Sequence, residues 1–252
     1  MKFLRIVLDT SRNITDLLEI VSEKTRGNDV CAKVILDNCI AIDSSDKKIA
    51  AVVAASVAEF ILRQFEREIA YEFVREFELL KPETEEILDF IAADGELREK
   101  RRNLLAKEFE KHASAGKINI DGLVLFRLSE YKEELKFAVE MFVDELSVKK
   151  SYDEFIGLMK YFTEIQKPET ETVILSEDLG EYKLTDGDGN PLRLRFDEEF
   201  ADELMPIGVT GDDLLISNLM AAMPKKIIFD NIDEKKPIIN TISRIFEGRI
   251  TY

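Results

Sequence analysis

The sequence predicts an α+β protein in three parts: an N-terminal β-α-β-β unit (residues 1–45), a central helical bundle (46–167) and a smaller C-terminal mixed α/β unit (168–252) with a hairpin and a terminal β-α-β crossover. Three observations carry the prediction. Apolar residues recur near the helical period through 46–80 and 121–165, with no proline in either stretch. Both ends of the chain carry short β-type runs bounded by turn residues. Pro168 marks the change of period between the middle and the C-terminal part.

Taken in order, residues 3–8 read as a short strand. Asn13 and Asp16 open a helix with Ile14, Leu17, Leu18 and Val21 at i, i+3, i+4 and i+7, and Gly27 ends it. Residues 30–42 read as a hairpin around Asp37-Asn38. A two-residue turn pairs Leu36 with Cys39 and Ile35 with Ile40, and sets Cys31 across from Ser44, on the face opposite to Cys39. That register argues against a disulfide, and both cysteines read as small buried apolar groups. Residues 46–80 read as one long helix. Its alanine-rich first half lets a second helix approach closely, and Phe65, Ile69, Phe73 and Phe77 form a core stripe. Pro82, followed by Glu83, Glu85 and Glu86, starts the next helix, and Asp94-Gly95 breaks it. Residues 96–112 form a charged helix with a thin stripe of Leu97, Leu104, Leu105 and Phe109.

Asp121 is the expected N-cap of the next helix. Leu128, Tyr131, Leu135, Ala138, Phe142 and Leu146 follow as a buried seam. Lys149-Lys150-Ser151 reads as a bend, after which Phe155, Leu158, Met159, Phe162 and Ile165 face a helix packed antiparallel on the first. Beyond Pro168, residues 172–175, 182–185 and 192–196 read as strands, with Asp186-Gly187-Asp188-Gly189-Asn190 between the last two. A helix over 212–223 leads to a strand over 226–229, and a helix over 237–246 to a strand over 249–252. That last strand–helix–strand has the length of a parallel crossover.

Charge narrows the partners. The formal net charge is -16, so the long-range field repels phosphate backbones and anionic lipid surfaces. Lys100-Arg101-Arg102 does not offset this, because Glu96, Glu99, Glu108 and Glu110 flank it. The expectation is no nucleic acid and no membrane. The longest low-charge run, residues 49–58, is half of the roughly 20 residues a span needs, and the N-terminal apolar run is too short for a signal peptide. A cytoplasmic protein is expected.

Candidate sites divide by chemistry. The loop from Asp186 begins like a calcium loop, but Pro191 and Asp197 stand where an EF-hand needs glycine and glutamate, so a hairpin turn is the better reading. His112 is the only histidine, which excludes a two-histidine metal site within one chain. No motif supplies it with a nucleophile or an orienting carboxylate. Asp230-Asn231 follows a strand with no glycine-rich phosphate loop nearby. No catalytic, cofactor-binding or metal residue is therefore assigned. Arg127 interrupts the apolar run 123–128, and arginine in such a setting pairs with a carboxylate. Glu154 or a residue of the 66–78 face is the expected partner. Tyr131 and Tyr161 are further candidate contact positions. Residues 169–213 hold fourteen Asp/Glu against three Lys/Arg. That segment is a docking surface for a basic protein partner or a solvated face, and Glu198, Glu199 and Asp202 are its candidate contacts.

The central stretch resembles the YtxC-like sporulation protein family. The resemblance rests on Ile120-Asp121-Gly122, Phe126-Arg127-Leu128, Tyr131 and Val143-Asp144-Glu145. It continues through Tyr152-Asp153-Glu154-Phe155-Ile156, Leu158-Met159-Lys160-Tyr161-Phe162, Gln166 and Pro168. Pro224-Lys225-Lys226-Ile227-Ile228 and Ile239-Asn240-Thr241-Ile242 extend it, so that it covers roughly 117–252. It implies a cytosolic protein of endospore-forming bacteria with a role in sporulation, and it brings no catalytic residues with it. The leading expectation is a non-enzymatic interaction protein. The alternative is a divalent-metal-dependent enzyme acting on a phosphorylated substrate through Asp186, Asp188 and Asp230.

Overall fold

A computed structural model describes residues 4–26, 30–45, 49–113, 116–178, 180–192 and 210–251. They form an α+β fold with two separate four-stranded mixed sheets and, among the described residues, nine helices. The chain divides into two compact units, Met1–Leu146 and Ser147–Tyr252. Among the described residues, no helix is long and apolar enough to cross a membrane.

In the first unit, β1 (Leu4–Asp9), β2 (Val30–Leu36), β3 (Cys39–Ser44) and β4 (Lys117–Asn119) form a sheet in the order β2-β3-β1-β4. β3 is antiparallel to both neighbours, and β4 runs parallel to β1. Three residues are too few for β4 to show an alternation in sequence. Gly116, at φ 77°, turns the chain into it, and its carbonyl accepts from the Val7 N–H at 2.8 Å.

The hairpin turns at Asp37-Asn38 and pairs Leu36 with Cys39, as expected. Ile35, however, is squeezed out as a bulge, so Val34 pairs with Ile40 and Cys31 with Asp43 rather than Ser44. The two cysteines therefore share a face of the sheet. Distance separates them instead: four residues along the strand, about 13 Å, exceed the reach of a disulfide. Both thiols are free, and Cys31 is exposed rather than buried.

α1 (Ile14–Lys24) starts where the Asn13 side chain accepts from the Thr15 N–H. The single helix expected over 46–80 is two, α2 (Ile49–Gln64) and α3 (Glu66–Val74). Phe65, at φ -125°, kinks the path, yet Phe65 N–H still reaches Ile61 O and Ile69 N–H reaches Phe65 O. The kink buries the Phe65 ring edge-on to Phe60. α4 (Lys81–Ala93) carries Pro82 in its first turn. Asp94 ends α4 and caps α5 (Gly95–His112) through the Leu97 N–H. α6 (Ile120–Phe126) is capped by Asn119, not Asp121. Asp121 instead accepts from the N–H of Ser11 at 2.8 Å and its hydroxyl at 2.6 Å, tying α6 to the loop after β1. One core fills the unit, joining Ile6, Leu8, Ile40 and Ile42 of the sheet to Val57, Phe60, Leu105 and Phe142 of the helices. Ala54 and Ala58 are fully buried, and α2 lies along α5.

The bend expected at Lys149-Lys150-Ser151 does not occur: α7 (Ser129–Ile165) is one helix of 37 residues. Lysine is a good helix former and serine costs little, so nothing in that triplet stops propagation. Leu146 and Ser147, where the two units divide, lie within it.

The second unit contains the end of α7 and a sheet in the order β6-β5-β7-β8, built from β5 (Thr170–Asp178), β6 (Glu181–Asp186), β7 (Pro224–Asp230) and β8 (Ile250–Thr251). β5 and β6 form the hairpin, and β7 and β8 run parallel to β5 and β7 respectively. α8 (Gly211–Ala222) precedes β7, and α9 (Pro237–Ile245) links β7 to β8 as the expected crossover. Of the strand expected over 192–196, residues 193–196 lie outside the described residues. Pro191 bridges Thr185, and the Leu192 N–H reaches Leu184 O. Ile156 of α7 joins Val173, Leu175, Leu219, Ile227, Ile242 and Phe246 in this unit's core.

Candidate functional site

The most heavily buried polar group lies in the first unit. Arg101 on α5 donates from Nε to Glu66 Oε2 at 2.8 Å and from Nη2 to the Ile91 carbonyl of α4 at 2.8 Å. The Tyr131 hydroxyl of α7 donates to the same Glu66 oxygen at 3.1 Å. Arg101 is 0% exposed, Glu66 3% and Tyr131 1%. Burial, reinforced by the Glu66 charge and hydrogen bond, holds the Tyr131 hydroxyl well above its ordinary pKa, so it remains a neutral donor. Four helices meet at this pair, and its side chains are closed off from solvent. Its chemistry is structural: it fixes the register of α3, α4, α5 and α7.

Sequence reasoning missed this arginine, although the signal was present. Arg101 continues the four-residue steps of Leu97, Leu105 and Phe109, and Glu66 those of Ala70 and Val74. The carboxylate does come from the 66–78 face, but Arg101 takes it. Arg127 is exposed at the end of α6, where its N–H reaches Leu123 O, and it makes no ion pair among the described residues. The apolar run bends away there before Ser129 starts α7, so the Arg127 side chain stays in water. His112 closes α5 with Nε2 3.3 Å from Glu108 Oε1.

Of the carboxylates of the alternative reading, Asp186 and Asp188 share one hairpin turn and Asp230 is remote from them. Asp186 pairs with Val173 and Asp230 with Ser176, on opposite sides of β5. Three residues along that strand and two strand spacings across it put their Cα atoms about 14 Å apart. Asp186 instead closes its hairpin turn, accepting from the Asn190 side chain at 3.1 Å and from the N–H groups of Asn190 and Asp188 at 2.8 and 2.9 Å. The Asn190 side chain and these amides pull its pKa below the ordinary carboxylate value. Among the described residues, no group of three or more His, Cys, Asp or Glu side chains is placed to hold a metal ion. Glu198, Glu199 and Asp202 lie outside the described residues.

In the second unit, one side of α7 is anchored and the other is open. Tyr152 bonds the Thr241 hydroxyl at 2.7 Å, Arg244 bonds Asp153 at 2.7 Å, and the Thr163 hydroxyl reaches Ile245 O at 3.3 Å. Around the helix from these, Phe155, Leu158, Tyr161 and Ile165 form a solvent-facing row, the last three being 52, 56 and 57% exposed. Tyr161 lies tilted against Phe162, ring centroids 6.3 Å apart. Beside the row, Phe155, Met159 and Phe162 form one wall of a 530 Å³ groove, and Ile216 and Met220 of α8 form the other. Both charged residues lining it, Glu169 and Asp213, are acidic. The Thr210 hydroxyl and N–H, at 2.7 and 2.8 Å, depress the Asp213 pKa and keep it ionised.

A model of the YtxC-like family matches residues 51–251, which takes in most of α2, α3 to α9 and all of the second sheet. The match begins well upstream of the 117–252 stretch that carried the resemblance. No curated protein and no solved structure matches the chain. With most of its length inside the family match, the chain belongs to the YtxC-like family.

Proposed function

We propose that the protein is a non-enzymatic, sporulation-associated interaction protein of the cytoplasm, and that it contacts its partner through the open side of α7 in the second unit. The observation that carries this reading is the row of Phe155, Leu158, Tyr161 and Ile165, large apolar side chains left in water along three turns of a helix. Scattered exposed apolar residues need no explanation, but a contiguous row along one helix marks a contact. The charge of -16 and the acidic segment 169–213 favour a partner with a basic surface.

The test is complementation. In an endospore-forming bacterium lacking the native gene, the wild-type chain restores heat-resistant spores. The variant Leu158→Asn/Tyr161→Ser/Ile165→Asn folds normally by circular dichroism but restores few. Full complementation by that variant removes this row from the contact.

A further inference from the structure

Resting on that reading, we infer that the groove between α7 and α8 receives an amphipathic helix of a partner protein, with apolar anchors at i, i+4 and i+7 and lysine or arginine at its edges. Shape argues for a helix. Phe155, Met159 and Phe162 occupy i, i+4 and i+7 of the α7 wall and so line about two helical turns, or about 10 Å. Ile216 and Met220, one turn apart, oppose them on α8. Two helical walls that carry apolar side chains form the kind of groove into which the apolar face of a third helix packs. The two methionines suit such a role, since an unbranched thioether adapts to the side chain it meets.

Charge selects the partner. Glu169 and Asp213 stand at the groove, and neither is neutralised by a basic side chain of the lining. Asp213 spends its hydrogen bonds on Thr210 and yet keeps its negative charge. A helix bringing Lys or Arg to those positions gains two charge pairs at the rim, and an acidic helix is repelled. Residues 193–209 of this chain hold five Asp/Glu against two Arg, the opposite charge balance to that of the proposed partner helix.

The experiment displays 18-residue segments tiled from the proteome of an endospore-forming bacterium, selected on the full-length chain. Recovered segments are then measured by fluorescence anisotropy. The expected segments combine apolar i, i+4, i+7 residues with flanking Lys or Arg. Their affinity falls at least about tenfold with Met220→Lys, which fills the groove with a charge. It falls again with Glu169→Lys/Asp213→Asn, in which the asparagine keeps an acceptor for Thr210. Raised salt weakens them too, because rim charges are screened. Recovered segments without a basic bias overturn the inference, as does binding unchanged by Met220→Lys, or recovery of no helical segment. So does competition by a peptide of residues 193–209 at comparable affinity, which assigns the groove to the chain itself. If the groove fails while the Leu158/Tyr161/Ile165 variant still loses spores, the interaction reading stands and only this occupant falls.

Discussion

Along α7, the residues before and after Leu146 carry equally regular apolar patterns but bury different shares of them. Before it, Tyr131, Leu135, Ala138, Val139, Phe142 and Val143 are buried in the first unit's core, and Phe137 and Met141 are exposed. After it, Ile156 is buried, and Phe155, Leu158, Tyr161 and Ile165 remain in water. Helical periodicity thus reports a helix, and the burial of its apolar face is a separate matter that its neighbours decide. The buried part also accommodates an ion pair deep in its core, whereas the later part uses exposed polar anchors such as Arg244–Asp153. The first arrangement specifies packing; the second leaves a face available for a contact.

This comparison breaks most sharply at Arg101. Arg101→Met leaves Glu66 charged and buried with only Tyr131 beside it, a loss of about 3–5 kcal/mol measured by urea unfolding. The double variant Glu66→Leu/Arg101→Met costs much less, because no uncompensated charge is left behind. Equal losses in the two variants defeat the assignment. Tyr131→Phe removes one hydrogen bond to a charged group, about 1.5–3 kcal/mol. The Tyr131 pKa is raised, so its contribution is fully present below the unfolded value of about 10 and is lost as pH rises above it. Tyr131→Phe therefore has a flatter alkaline stability profile than the wild type.

A smaller effect comes from Asp121 and Glu59. Burial raises both pKa values, but the Ser11 hydroxyl and N–H for Asp121, and Arg63 with the charges of Arg102 and Arg98 for Glu59, outweigh it and leave both depressed. Their contribution is present above the unfolded values, about 4, and is lost as pH falls below them. Asp121→Asn should lower stability at pH 7, and by progressively less as pH falls below the unfolded value; an offset that stays constant through the acid range contradicts the linkage. Smallest is the stability effect of the α7 surface variant Leu158→Asn/Tyr161→Ser/Ile165→Asn. At exposed positions each change stays within about 0.5 kcal/mol, so a large drop in melting temperature shows that the row is packed rather than free.

Much of the molecule was legible in the sequence because its signals are local. The Asn13 cap, the Pro82 start, the break at Asp94 and the Asp37-Asn38 turn each depend on a few adjacent residues. The sequence points to Arg127, paired with Glu154 or the 66–78 face, and the buried pair forms at Arg101 instead, since a hydrophobic run in sequence does not reveal where the backbone turns out of the core. The Ile35 bulge shifted the cysteine register for a related reason: strand pairing is settled by the partner strand and the face that must be buried.

By itself, the sequence determined the α+β class, the strong negative charge, the positions of most helices and the family. Only the tertiary structure decided which carboxylate meets Arg101, that Asp186 and Asp230 lie on opposite sides of β5, and that α7 keeps an apolar row in water. The physical reason is the range of the forces involved. Caps, turns and helix propensity act within about a turn of the chain, whereas burial and ion pairing depend on residues brought together from distant positions.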